Sequence, residues 1–151
     1  RLVLGRRLQA GGAAFAREVG AAIPRGSVVV LAPSLDWLHL APSLWLESDL
    51  VPIVARRREA FAGALGEYLE RIPAREVFVL AGVVTTGDGA VDPNAFLPAL
   101  PEGFVLEPVR TFTWSADLLE RREDGPPAAL VKHRAEIALL RARRSAPAVD
   151  Q

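Results

Sequence analysis

Ser27-Val28-Val29-Val30-Leu31-Ala32 is an unbroken apolar run with three β-branched residues in succession. A strand with one face in water alternates apolar and polar residues. This run does not, so it reads as a strand buried on both faces, as in a parallel sheet. On its N-terminal side, Phe15, Val19 and Ile23 stand at helical spacing within a first helical segment, Leu2 to Ile23. Gly11 and Gly12 interrupt that segment, and Pro24-Arg25-Gly26 ends it. On its C-terminal side come Pro33 and Ser34, the serine suited to cap a following helix by accepting from its exposed N–H groups.

The same alternation continues outward. Leu35 to Leu46 predicts a short apolar helix that Pro42 is expected to disturb. Leu50 to Val54 predicts a strand that Pro52 confines to an edge or a strand start. Arg56 to Ile72 predicts a helix through Phe61, Leu65, Tyr68, Leu69 and Ile72, stopped by Pro73. Glu76 to Val84 predicts a further buried strand, followed by a polar loop over Thr85 to Pro93 and one helical turn over Asn94 to Leu100. Phe104 to Trp114 predicts an edge strand holding Pro108, with Ala116 to Arg122 as its hairpin partner. Ala128 to Arg144 predicts an amphipathic helix through Leu130, Ile137 and Leu140. Together these imply one α/β domain over 1–144 and a tail over 145–151. The fold class is three-layer and Rossmann-like, with a small, mostly parallel sheet flanked by helices.

Composition narrows the chemistry. The 151 residues include no cysteine, which removes disulfides, thiolate nucleophiles and cysteine-based zinc sites. Eighteen basic residues balance 18 acidic ones, where a nucleic-acid-binding domain usually carries a basic excess. Of the basic residues only Lys132 is a lysine, a bias that fits a GC-rich genome better than a set of phosphate ligands. No apolar run approaches the roughly 18 residues that span a bilayer, so the chain reads as soluble. His39 and His133 lie far apart and in no metal-binding spacing, so neither metal nor cofactor is expected.

Open α/β sheets bind ligands beyond the carboxyl ends of their strands. Two segments qualify: Ser34, Asp36, Trp37 and His39 after the first strand, and Thr85, Thr86 and Asp88 after the third. Adjacent parallel strands would bring both into one crevice. Asp36 and His39, three apart, would share a helix face, where a carboxylate holds an imidazole's tautomer and raises its basicity. A capping carboxylate and a partly buried histidine would have the same spacing. Pro33-Ser34-Leu35-Asp36 lacks the glycines of a dinucleotide-binding turn, and no serine sits in a nucleophile elbow. Thr85 to Gly89 offers hydroxyls and glycines, as an anion nest or a plain surface loop would. Arg56-Arg57-Arg58 sets cations at a helix start, against the helix dipole. Trp37 and Trp45 suit sugar stacking or, as ordinary aromatics, a core or interface.

The stretch Phe15 to Ala32, with Ala22-Ile23-Pro24-Arg25-Gly26-Ser27-Val28-Val29-Val30 at its centre, resembles the start of the soluble C-terminal domain of polytopic GT-C-type glycosyltransferases. These include relatives of the protein mannosyltransferases. Their helix and "IPxGxVVV"-like strand entry are followed by a short helix, a strand, a helix and a "VFVL"-like strand, matched here by Val77-Phe78-Val79-Leu80. The likeness covers Phe15 to Trp114 and leaves Ala128 to Arg144 without a counterpart. It implies a non-catalytic accessory domain beside a membrane, on the outer face where polyprenyl-phosphate sugars are donors. No position here inherits a catalytic role, and the membrane surface and an upstream membrane domain are the implied partners. Two other readings stay open: a stand-alone α/β binding or hydrolytic domain with its site at the ends of the first and third strands, and a protein-interaction module.

Overall fold

The computed structural model describes residues 13–32, 35, 40–55, 58–72, 75–86, 91–120 and 129–146. Helix α1 (13–22) leads into β1 (Val28–Leu31), then α2 (Leu40–Ser48), β2 (Val51–Val54), α3 (Arg58–Arg71) and β3 (Val77–Thr86). A 3-10 turn over Pro93–Phe96 precedes two long strands, β4 (Phe104–Glu120) and β5 (Ala129–Arg144). The five strands form one sheet in the order β2-β1-β3-β5-β4.

The sheet has two halves. β1 pairs in parallel with β2 on one side and with β3 on the other, setting Leu31 beside Val54 and Leu80. β5 then pairs antiparallel with both β3 and β4. The sheet is therefore mixed, and the expectation of a mostly parallel one is corrected. The β1–α2–β2 and β2–α3–β3 crossovers run in opposite directions along the sheet, so right-handed connections must put their helices on opposite faces. Accordingly Leu40 and Leu44 of α2 join Phe15, Ala16 and Val19 of α1 against one face. Leu65 and Leu69 of α3 pack on the other. β1 between them is buried at every residue, as its unbroken apolar sequence requires.

The largest departure from the sequence reading is β5. Ala128 to Arg144 is expected as a helix, yet Ala129–Arg144 is a strand flanked on both sides. Ala135, Ile137 and Leu139 enter the core under α1 and α2, while Ala138, Leu140 and Ala142 enter the one under α3. From Ile137 to Leu140 β5 is buried on both faces and there loses the alternation that would reveal it. Its alanines, leucines and arginines are strong helix formers, but two ladders of backbone hydrogen bonds and burial on both sides outweigh that preference. Ala116 to Arg122 is likewise not a hairpin partner. As far as Glu120 it continues β4, and the partner is β5.

The prolines take the places their missing N–H demands. Pro52 lies in β2, an edge strand, and Pro108 in β4, the other edge. At Pro108 the register slips, so that Pro108 faces Leu140 and Arg110 faces Leu139, and Val109 is the extra residue of a bulge. Pro42 does not split its helix. α2 begins at Leu40, which places the proline in the first turn, where an N–H has no intrahelical partner anyway.

Candidate functional site

The sheet's carboxyl-end pole is built around β1 and β3. Ala32 donates its N–H to Leu80 O at 3.0 Å, and Ala55 donates to Leu31 O at 3.0 Å, so the three parallel strands are fastened together where β1 and β2 end. Leu35, fully buried, anchors the connection after β1 in the core under α1 and α2. Its N–H reaches back to Ala32 O at 2.9 Å. β1 and β3 are adjacent and parallel, the condition for a shared crevice, and the helices of the two crossovers, α2 and α3, lie on opposite faces. That is the topological switch point at which open α/β sheets bind ligands.

Of the sequence-predicted site residues, Ser34, Asp36, Trp37, His39 and Asp88 lie outside the described residues. Thr85 and Thr86 are described, and they are not in a loop. They are the last two residues of β3, paired with Arg134 and His133. β3 continues six residues past Leu80, the partner of Leu31, and so carries Thr86 roughly 20 Å beyond the end of β1. Thr85 Oγ1 lies 3.5 Å from Arg134 O, at the limit of a hydrogen bond. The threonines thus belong to a ribbon rising past the crevice and not to its floor.

The sheet register exposes a neighbour that sequence spacing hides. His133 is 5% exposed, and its Nδ1 stands 3.0 Å from Val131 O. Thr86 and Ala116 flank it on the adjoining strands, and Trp114, also buried, lies diagonally across on the same face. A hydroxyl beside an imidazole is part of a nucleophile–base arrangement, and equally the ordinary surroundings of a core histidine. The signal that would have found it is alternation: Val131, His133, Ala135, Ile137 and Leu139 fall on one face only when the segment is read with a period of two.

Trp45 and Leu46 are 60% and 79% exposed, side by side at the C-terminal end of α2. Next to them Arg17 and Glu47 form an ion pair at 3.1 Å. Trp45 is therefore a surface aromatic. Among the described residues no group of three or more His, Cys, Asp or Glu side chains is placed to hold a metal ion. Among the same residues no helix is long and apolar enough to cross a membrane. Comparison with protein families, with curated proteins and with solved structures found no match.

Proposed function

We propose that this unit is the non-catalytic accessory domain of a membrane glycosyltransferase that uses a polyprenyl-phosphate sugar donor. The observation that carries the reading is the turn from α1 into β1. Gly26 holds φ at +75°, a value that favours glycine. Ser27 Oγ donates to Pro24 O at 2.6 Å, and Gly26 N–H donates to Asp49 O at 2.8 Å. In the Pro-x-Gly-x-Val-Val-Val pattern of the resemblance, the glycine therefore has a physical reason in its φ and the valines in their burial. Helix, strand, short helix, strand, helix and strand follow in the implied order through β3.

The test is made on the full-length gene product. Membranes bearing it should transfer labelled sugar from a polyprenyl-phosphate donor, and substitutions at Asp117, His133 or Glu136 should leave turnover per folded molecule unchanged. A gene product that stays wholly in the supernatant sinks the reading. So does a residue range 1–151 that transfers sugar by itself.

A second reading draws on the switch point between β1 and β3, where the domain would bind a small molecule directly. A ligand screen followed by backbone NMR tests it. Shifts should cluster at Ala32, Leu35 and Ala81, weaken in Asp36→Ala, and spare the opposite pole. Shifts scattered over the surface would end it.

A further inference from the structure

Among the described residues β4 closes one side of the sheet. A strand in that place offers backbone N–H and C=O groups to any other strand that reaches it. The first half of β4 carries the usual protections. Pro108 lacks an N–H, Val109 is the extra residue of the bulge, and Glu107 is charged and paired with Arg143 at 2.9 Å. Past the bulge these protections stop. From Arg110 to Glu120 the strand has no proline, no glycine and no further shift of register. Thr111, Thr113 and Ser115 are exposed on the face away from α1, residue types that suit a paired strand or tolerate one. Asp117 is the one charge between the ends, and it stands beside Lys132 of β5.

The same segment is complementary to itself. Its one cation, Arg110, and Glu120 mark its two ends, ten residues apart and so on one face. Antiparallel pairing with a second copy, centred on Ser115, brings Arg110 of each copy opposite Glu120 of the other. It also sets Thr113 opposite Asp117, and Ser115 opposite itself. Parallel pairing in register would instead oppose Arg110 to Arg110 and Glu120 to Glu120, and like charges directly opposite are destabilising. Arg110 is held in place for the contact. It lies over the Phe112 ring at 4.6 Å and reaches Glu18 at 3.4 Å, while its side chain remains 54% exposed. A guanidinium has five N–H donors, more than Glu18 uses. The seats of the two α1 helices, where Phe15 meets Phe112, would lie about 20 Å apart along the strands, so the helices do not compete for one place.

We infer that β4 from Arg110 to Glu120 is a homodimer interface, through which two copies join antiparallel about Ser115 into one continuous sheet. The contact is isologous, so each copy spends its long edge on the other. The edges left at the two ends of the joined sheet are the β2 strands, four residues long and holding Pro52, which blunts further pairing. Assembly therefore stops at two. The inference stands apart from the membrane reading above and holds whichever function the domain serves.

The chain has no cysteine, so a single introduced one reports on a single place. The unaltered protein should sediment as a dimer. Under mild oxidation Ser115→Cys should cross-link nearly completely, because directly opposed residues lie about 4.5–5.5 Å apart between Cα atoms, within reach of a disulfide. Thr113→Cys should not, since its counterpart in the second copy lies four residues along, about 13 Å away. Both positions are exposed, so neither change disturbs the core. Arg110→Glu and Glu120→Arg should each weaken self-association roughly tenfold, by turning two attractive cross-strand pairs into repulsive ones. An equimolar mixture of these two variants should restore it, because every such pair is then opposite in sign. A protein that sediments as a monomer at every concentration overturns the inference and leaves the edge to a strand of some other protein. A dimer that cross-links at 113 as readily as at 115 is joined by another surface or register, and overturns it as well.

Discussion

At the scale of single residues, Gly82 is the tightest point in the sheet. A Cβ added there would sit 2.5 Å from Glu136 O, a backbone atom that cannot swing away, and 3.3 Å from Ile137 Cα. Gly82→Ala should destabilise the protein by about 2 kcal/mol, a typical cost of overpacking. It should appear as a lower urea midpoint at unchanged slope. An unchanged midpoint would mean that β3 and β5 do not approach as described. A glycine inside an apolar strand is a visible mark of close approach in any sequence, but what approaches is visible only in the fold. The same limit applies to the candidate site. Thr85 and Thr86 stand out in the sequence as polar residues after a strand. That they extend the strand, and that His133 lies beside Thr86, depends on a partner strand almost fifty residues away.

At the scale of elements, the segments rich in β-branched residues or punctuated by prolines were legible. β1 and β3 announced themselves by β-branched residues, β2 and β4 as edges by Pro52 and Pro108, and α3 by Leu65, Leu69 and Ile72. β5 was not, because its residue types favour a helix and its burial on both sides hides the period of two. That conflict makes a test. Glu136 is exposed on β5, opposite Val83 on one side and Thr113 on the other. Glu136→Thr exchanges a helix former for a β-branched residue, so it should stabilise the strand by about 0.5 kcal/mol, within the range of β propensities. A loss of similar size would be the signature of a helix at this position. Chemical denaturation resolves the two signs.

At the scale of the whole molecule, the parallel half and the antiparallel half are not separable. The core under α1 and α2 draws Phe15, Leu31 and Leu44 from the first half and Phe112, Trp114, Ile137 and Leu139 from the second. A fragment of residues 1–100 would leave β3 as an open edge and half of that core unfilled. It should show no cooperative melt by circular dichroism, whereas the full 151 residues should unfold in one transition. A sharp transition in the fragment would divide the chain into two domains. The sequence could indicate an α/β class through its alternation of elements. It could not indicate where the sheet changes from parallel to antiparallel, because that is decided by which strand fills the place beside β3.

The strand that fills that place is the last of the five to leave the ribosome. Until β5 is synthesised, Val77-Phe78-Val79-Leu80 has a partner on one side only, and an unpaired apolar edge invites pairing with other chains. The nascent protein therefore passes through a stage in which the parallel half and β4 exist without the strand that joins them. Its yield in a cell should depend on how well chaperones shield that edge during the interval.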